Sequence, residues 1–447
     1  MSESLNKIDV AVAAGRDTIV DFLRELLSQS RNGEEGVQAW LAAQSEALGC
    51  TVTTQRYRPA DIPMVAEFAG ERAIDTGERA SVLAHLPGSG EGRSVIFFAH
   101  PDSEPFAEPH GWSRDPFAGE TEDGRLYGWG LADDLAGIAA MVQAVAVLKA
   151  AGLEPAGDVY LASTPSKRHA RGVSALLHSG VSADAAVYFH PAESGEGLRE
   201  VKAFASGQLD FRIVVAGQPP QTTEPHQTGF AHRGVNPIEK AMLIFRALSD
   251  LDAERGERVL HPSLQAAVGR STNLMLSHIA AGEPDRLSRM ASSCTLGGAV
   301  SLPPGEALEE VQAQIEAVLG QVAEEDDWLR LHPPQIIWDA GVTGAEVPVS
   351  HPLYRTVAEV IEATIGQAPH VNVMHTSSDI RNPMVQKGIP TVGLGSLGGN
   401  LTQNHSHDEW IDIDDYVRCV QVAAGIIARW CGVRETVQPK AMAASAA

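Results

Sequence analysis

The chain has 447 residues, 44% of them apolar, and its 34 Lys and Arg against 57 Asp and Glu give a formal net charge of −23. This is the composition of an ordinary globular protein, and a length well beyond about 300 residues predicts two domains. Because no Lys/Arg-rich run offsets the acidic balance, we expect no nucleic-acid partner, and the lack of an uninterrupted apolar stretch of about 18 residues argues against a membrane span.

The first residues, MSESLNKIDV, lack the basic and then apolar pattern of a secretion signal, so we expect a cytoplasmic protein. The four cysteines are widely separated and form no CxxC pair: Cys50, Cys294, Cys419 and Cys431. This spacing predicts neither a thiolate zinc site nor a disulfide framework. We therefore expect the cysteines to be reduced.

Helices and strands alternate through the first 205 residues. Short apolar runs predict buried strands, and longer periodic segments, two of them followed by glycine, predict helices. In chain order these are helices at 17–28 and 35–48, a strand at 94–99, a helix at 135–151, a strand at 158–162, a helix at 173–177 and a strand at 185–189. The alternation predicts an α/β fold, a mostly parallel sheet with helices on both faces.

The pattern changes after residue 206 and returns near residue 351. Alternating apolar and polar positions predict half-exposed antiparallel strands at 208–215, 273–279 and 294–302, with helices at 237–251 and 308–322, which is a ferredoxin-like βαββαβ arrangement. A helix ending at 365, a strand at 391–394 and a helix at 414–429 then resume the first style. We predict a catalytic domain of residues 1–205 and 342–436, an inserted α+β lid of residues 206–341, and a flexible tail of residues 437–447.

Polar residues stand at the ends of two predicted core strands and just before one predicted core helix. His100 and Asp102 follow the strand at 94–99, and His190 follows the strand at 185–189. Asp133 and Asp134 precede the long apolar helix, where carboxylates can also serve as simple helix caps. Because the carboxyl ends of parallel strands open into one crevice, we expect these side chains to converge there as metal ligands.

Six segments in this order resemble the peptidase family M20 of aminoacylases, carboxypeptidases and desuccinylases. They are AHPD at 99–102, GWSRDPF at 111–117, LYGWGLADD at 126–134, FHP at 189–191, GVNPIEKAM at 234–242 and NHSHDEW at 404–410. The resemblance implies an α/β catalytic domain with an inserted dimerisation domain, and hence a homodimer or larger homo-oligomer. It also implies that Asp133 bridges two metals, that His100 and His190 complete one site, and that His405 belongs to the other. Asp102 would orient His100.

The sequence departs from the family where a Glu-Glu pair should supply a general base and a ligand of the second metal. The segment reads STPSKRHARG, and no carboxylate occurs between Ser163 and His178. We therefore predict one divalent metal per chain, held by His100, Asp133 and His190, with Mn or Zn favoured and Co or Ni conceivable. His169, His405 and Asp379 are candidates for the replacement acid or base.

The lid departs from the family as well. Gln221 stands where a family histidine stabilises the oxyanion, and His226 is a nearby substitute. The family's Arg-x-x-Pro, which often holds a substrate carboxylate, is missing, so Arg270 or Arg233 could take over that role. We count these four residues as candidate substrate-binding residues.

Three functions remain open on this sequence. The favoured hypothesis is a metal-dependent hydrolase that cleaves a C–N bond in a small non-peptide molecule with metal-activated water. An aromatic amine such as 5-nitroanthranilate would suit, because its ring and nitro group can hold the negative charge that an oxyanion hole otherwise takes. The alternatives are a conventional di-metal aminoacylase or exopeptidase, and a non-catalytic relative that binds a small molecule.

Overall fold

The computed structural model describes residues 3–70, 73–103, 111–190, 194–374, 378–398 and 407–436. The helices of these residues are α1 (Glu3–Gln29), α2 (Gly33–Ala47), α3 (Ala136–Ala150), α4 (Gly172–His178), α5 (Pro237–Arg258), α6 (Pro262–Val268), α7 (Leu308–Glu325), α8 (Asp327–Leu331), α9 (Pro352–Ile365), α10 (Arg381–Lys387) and α11 (Ile413–Ile426).

The first ten strands are β1 (Thr51–Tyr57), β2 (Glu67–Ala69), β3 (Arg79–Leu86), β4 (Val95–Ala99), β5 (Thr121–Glu122), β6 (Arg125–Tyr127), β7 (Leu153–Pro155), β8 (Val159–Ser163), β9 (Ala186–Phe189) and β10 (Glu200–Val201). The others are β11 (Phe204–Ala205), β12 (Gly207–Ala216), β13 (Asn273–Ala281), β14 (Ser293–Leu302), β15 (Gln335–Val342), β16 (Ala345–Glu346), β17 (His370–Val371), β18 (Thr391–Leu394), β19 (Trp410–Asp412) and β20 (Val433–Glu435).

A six-stranded sheet forms the centre of the molecule, in the order β1-β3-β8-β4-β9-β18. The four strands from β8 to β18 are parallel, and β3 and β1 add an antiparallel edge. This confirms the predicted α/β class with a mostly parallel sheet. Neither β1 nor β3 was predicted, because each mixes polar and apolar residues and is only partly buried.

Helices cover both faces of this sheet, which explains why β4 is apolar throughout. Val95, Phe97 and Ala99 pack on the side of α1, α3, α9 and α11, whereas Ile96 and Phe98 pack on the side of α4 and α10. Successive strand residues point to opposite faces, so a strand covered on both sides needs apolar residues at every position.

The longest apolar helical segment, Leu131–Ala150, could span a membrane by length and composition alone. In the folded chain 94% of its apolar window is buried, so α3 is a core helix packed against α1 and α11. The N-terminal helix is longer than predicted: α1 begins at Glu3 because Leu5, Ile8 and Val12 extend its buried face. The predicted tail, 437–447, lies outside the described residues.

The lid is a second sheet with its own apolar core. Its strands run in the order β13-β14-β12-β15-β2 and all its pairings are antiparallel. With α5 and α7 these strands give the expected βαββαβ order. The fifth strand, β2, comes from outside 206–341 and pairs Ala69 with Ala340. The segment before β3 therefore ties the catalytic domain to the lid sheet.

Candidate metal centre

His100 follows the last residue of β4 and is almost fully buried, at 1% exposure. Its Nδ1 lies 2.8 Å from the backbone oxygen of Asp102 and 3.4 Å from the Asp102 carboxylate. A carbonyl oxygen can only accept, so Nδ1 carries a hydrogen, and a cation would bind Nε2 in place of the second ring hydrogen. The backbone NH of His100 donates to Asp134 Oδ2 at 3.1 Å, which fixes the start of the loop.

Asp133 lies between the two histidines, just before α3. Its Oδ1 is 2.9 Å from His100 Nε2 and 3.1 Å from His190 Nε2. The buried carboxylate of Glu409 accepts hydrogen bonds from the backbone NH groups of Gly130 and Ala132, at 3.3 and 2.7 Å, and so fixes the turn that presents Asp133. The peptide bond between Asp133 and Asp134 is cis.

These three side chains fit a transition-metal ion. One ligand atom from each of His100, Asp133 and His190 lies within 4.8 Å of the others. Bonds of about 2.0–2.2 Å in a tetrahedral arrangement place ligand atoms roughly 3.4 Å apart, close to the two separations at Asp133 Oδ1. Two imidazoles and one carboxylate also match the donor types that Zn and Mn accept.

His190 has a lysine at its other ring nitrogen. Lys202 Nζ lies 2.8 Å from His190 Nδ1, and both side chains are buried. If Lys202 is an ammonium, it donates to Nδ1 and the ring hydrogen of His190 stays on Nε2. If Nδ1 carries the ring hydrogen and donates to the Lys202 amine, Nε2 is free to bind a cation. Burial, assisted by the charge of Lys202, lowers the pKa of His190 to about 3, so the ring is neutral at pH 7.

The second oxygen of Asp133 is held by a lysine. Lys167 Nζ donates to Asp133 Oδ2 at 2.6 Å, from the segment where the family's Glu-Glu pair is missing. Burial disfavours the ammonium, but the charges of Asp133, Asp102 and Asp134 outweigh it and raise the pKa of Lys167. The lysine is therefore a cation beside the three ligands.

Asp102 connects the His100 loop to the Lys167 segment. Its carboxylate accepts from the backbone NH groups of Ser166 and Lys167, at 2.8 and 2.9 Å, and from Arg79 Nη2 at 2.8 Å. Burial opposes the charged form, but the hydrogen bond from His100, the backbone donor and Arg79 lower the pKa of Asp102. The reverse holds for His100: burial disfavours imidazolium, yet Asp102 and Asp133 raise its pKa well above the ordinary value.

A cavity of about 540 Å³ lies between this centre and the lid. Its walls come from the β2 segment, the Lys167 turn, the lid sheet and the start of α10. The lining side chains that bear on the chemistry are His100, Ser166, Lys167, His169, His190 and Asp379.

Asp379 is the candidate acid or base with the most defined surroundings. Its carboxylate accepts from Ser166 Oγ at 2.5 Å and from Asn382 Nδ2 at 3.0 Å, and burial raises its pKa despite the bond from Ser166. His169 lines the same cavity on an exposed turn, with a positive φ of 53°. His405 lies outside the described residues.

The four lid candidates do not line this cavity within one chain. Gln221 and Arg233 are exposed, and His226 pairs through Nδ1 with Ser288 Oγ at 3.0 Å. Arg270 binds Asp252 at 2.7 Å and the backbone of the lid itself. The internal partners of Arg270 give it a structural role in the lid.

Several residues that contact the site were not singled out from the sequence, among them Arg79, Lys202 and Glu409. Arg79 and Glu409 act through contacts with residues far away in sequence, which no local pattern reveals. Lys202 did leave a signal, because it stands in the apolar run VKAFA next to a core strand, where a charged residue requires a specific partner.

Fold and site together define a metallohydrolase-like protein, with strand-end ligands beneath a lid. A model of the peptidase family M20/M25/M40 matches residues 96–429. The chain belongs to this family and is a metal-dependent hydrolase acting on carbon–nitrogen bonds.

Two relatives show how far the similarity extends. The chain is 23% identical, over 96% of its length and 99% of the relative's, to N-formyl-4-amino-5-aminomethyl-2-methylpyrimidine deformylase from Bacillus subtilis. It is 24% identical, over 76% and 82%, to succinyl-diaminopimelate desuccinylase from Rhodospirillum centenum.

Solved structures share the fold. Aminopeptidase PepT from Bacillus cereus superposes with a TM-score of 0.67 at 17% identity, covering 93% of this chain and 98% of that one. A dinuclear metal-binding M20 peptidase from Bacillus subtilis superposes with a TM-score of 0.57 at 15% identity, covering 93% and 98%.

Proposed function

We propose that the protein hydrolyses a C–N bond of a small non-peptide molecule, using one divalent cation held by His100, Asp133 and His190. One observation carries this proposal: the oxygen of Asp133 that faces away from the histidines is bonded to Lys167, in the segment that lacks the family's carboxylates. A second metal would need that oxygen. We favour Mn or Zn as the cation.

The metal ligands and Asp379 have separate roles in the proposed reaction. A cation bound by the three ligands would supply a Lewis acid that makes water acidic enough to attack near neutral pH. Asp379 takes up the proton in place of the missing glutamate, because it is a carboxylate that lines the cavity outside the ligand set and its raised pKa suits a base. Ser166 and Asn382 hold its two oxygens in place.

The size of the cavity and the nature of one relative support a small substrate. About 540 Å³ suits a single-ring compound with its substituents. The deformylase relative, by its name, removes the formyl group of an N-formyl aminomethylpyrimidine. That N-formyl compound is an amide but not a peptide. A formylated or acylated aromatic amine, or an activated one such as 5-nitroanthranilate, is the substrate class we propose.

Metal analysis followed by a substrate panel tests this proposal. Purified protein is dialysed against Mn²⁺ or Zn²⁺, its metal content is measured, and it is assayed with amino-acid amides, N-acyl amino acids, N-formyl aminomethylpyrimidine and anthranilates. We expect one metal per chain and chelator-sensitive turnover of the last two groups alone. Two metals with turnover of amino-acid substrates would establish the di-metal enzyme, and metal-free, inert protein would establish the non-catalytic relative.

We also propose that the protein is a cytoplasmic homo-oligomer, at least a dimer. Its four cysteines are free and buried, which suits a reducing compartment. The lid exposes apolar side chains on α5 and on its edge strand β13, namely Met242, Phe245, Met275 and Ile279. An edge strand with exposed apolar residues is a ready surface for a second copy.

A further inference from the structure

Lys167 places a positive charge beside Asp133, which a neutral or acidic residue in its position would not do. His100 Nε2 and His190 Nε2 both lie next to Oδ1 of Asp133, and the Lys167 ammonium lies 2.6 Å from Oδ2 of the same carboxylate. In two-metal sites a shared carboxylate has one ion on each oxygen, about 3.5–4 Å apart. Here one of those two places is filled by a side chain.

The backbone around Lys167 is fixed by its neighbours, so the position of the ammonium is built into the fold. The NH groups of Ser166 and Lys167 both donate to the buried Asp102 carboxylate, which Arg79 holds from the other side. The Ser166 hydroxyl donates to Asp379, and the NH of Gly172 closes the turn on Pro165. These contacts hold the main chain on both sides of the lysine.

The Lys167 ammonium is also directed at Asp133. Within the described parts of the chain, Asp133 Oδ2 is the hydrogen-bond acceptor of Lys167 Nζ, and the lysine side chain is only 18% exposed. Lys202 differs, because its amine lies on Nδ1 of His190, behind the ligand face. Lys167 is therefore bonded to an oxygen that a cation could use.

We propose that Lys167 is the second cation of the centre: a fixed ammonium that takes the place of a second metal ion on Asp133 and keeps the site mononuclear. This inference rests on the proposed metal site and goes beyond it by naming the residue that sets the metal count. Two consequences follow from charge alone. The ammonium weakens binding of the first metal by repulsion, and it neutralises the buried Asp133 carboxylate before metal arrives.

The test compares Lys167→Met with Lys167→Arg and Lys149→Met. Methionine keeps the length of the side chain and removes its charge, whereas arginine keeps the charge. Lys149 lies at the far end of α3, about 20 Å along the helix from Ala136, where its ammonium donates to the Leu48 carbonyl, so its loss removes the same charge at a distance from the metal centre. Calorimetry gives the Kd for Mn²⁺, and thermal unfolding with and without Mn²⁺ gives the stabilisation by the metal.

We expect Lys167→Met to bind Mn²⁺ at least tenfold more tightly than the wild type, and to show a larger metal-induced rise in Tm. Lys167→Arg and Lys149→Met should stay within threefold of the wild type. Lys167→Met with unchanged or weaker Mn²⁺ binding would overturn the proposal, because the lysine would then only stabilise the fold. If Lys167→Met does not fold, Lys167→Gln gives the same comparison.

A further variant tests the metal count directly. Lys167→Glu exchanges the ammonium for a carboxylate beside Asp133 Oδ2, and we expect metal analysis at saturating Mn²⁺ to give two ions per chain instead of one. A wild-type chain that already binds two ions would overturn the proposal while leaving a metal-dependent hydrolase intact. A wild-type chain that binds none would refute the proposed metal site itself, so the two failures are distinguishable.

Discussion

Asp133 divides its two oxygens between different partners, and this division determines the chemistry available to the site. Oδ1 meets His100 and His190 at 2.9 and 3.1 Å, and Oδ2 meets Lys167 at 2.6 Å. A carboxylate shared in this way can bind one cation and cannot bridge two without displacing the lysine. Under our proposal the metal count therefore depends on Lys167.

Metal affinity should rise with pH, because a metal must displace a proton from His100. Its pKa is raised well above 6.5 in the metal-free protein, by Asp102 and Asp133 against the effect of burial. The stabilisation that the charged ring gives the metal-free fold is present below about pH 6.5 and is lost as pH rises through the raised value. Below that value, affinity for Mn²⁺ should increase up to about tenfold per pH unit.

Calorimetry at pH 6, 7 and 8, in buffers of different ionisation enthalpy, measures both the affinity and the protons released. We expect release of about one proton per Mn²⁺ bound. An affinity that does not change between pH 6 and pH 8 would mean that His100 is not a ligand.

Replacing Asp102 with Asn should destabilise the chain by about 3 kcal/mol. The variant removes one of the carboxylates that pair with the buried Arg79, and it loosens the Lys167 turn. Urea unfolding measures the loss. The control is Asp339→Asn, whose partner Arg212 is on the surface, and which should cost far less than the Asp102 variant. Equal losses in the two variants would show that the Asp102 network contributes no special stability.

How far the site could be predicted depends on where each residue's partners lie. His100, Asp133 and His190 follow apolar strands or precede an apolar helix, and parallel strands bring such positions to one edge, so a pattern in the sequence was enough to name them. The contacts of Arg79 with Asp102 and of Glu409 with Ala132 join distant segments whose packing no periodicity describes. The loss of the Glu-Glu pair was enough to predict a single metal, but the bond from Lys167 to Asp133 could be seen only in the structure.

The strand β2 links the two domains, and a buried ionic cluster holds it. Glu67 accepts from Arg171 at 2.9 Å and from Arg381 at 2.8 Å, and both arginines also donate to backbone carbonyls of the segment before β2. No strand was predicted here, because three residues are too few for a periodic pattern. The pairing partner of β2 is also some 270 residues away.

Glu67→Gln should therefore loosen the connection between the catalytic domain and the lid. The change leaves two largely buried guanidinium groups without their carboxylate, so we expect a loss of about 3 kcal/mol in unfolding free energy. Hydrogen exchange should also become faster in β2 and the adjoining part of β15. Glu78→Gln, which breaks an exposed pair with Arg56, serves as the control and should change neither quantity. Protection of β2 that stays at the wild-type level would show that the cluster does not hold the strand.

The whole molecule presents its exposed apolar residues mainly on the lid. Met242 and Phe245 on α5 and Met275 and Ile279 on β13 are 37–60% exposed, whereas Ala241, Ile244 and Leu248 fill the lid core behind them. Sedimentation should show at least twice the mass of one chain. The double variant Met242→Glu/Ile279→Glu should sediment as a monomer with unchanged unfolding free energy.

Val10→Glu is the matched control, because Val10 is 70% exposed on α1, away from the lid. It should leave the oligomer intact. A double variant that still sediments like the wild type would place the interface elsewhere.

Anomalous diffraction from crystals of the Mn²⁺- or Zn²⁺-loaded protein tests the metal centre most directly. We predict one peak per chain, roughly 2.0–2.2 Å from His100 Nε2, Asp133 Oδ1 and His190 Nε2, with Lys167 Nζ still on Asp133 Oδ2. Two peaks joined by Asp133, with Lys167 turned away, or no peak near these three residues, would contradict it.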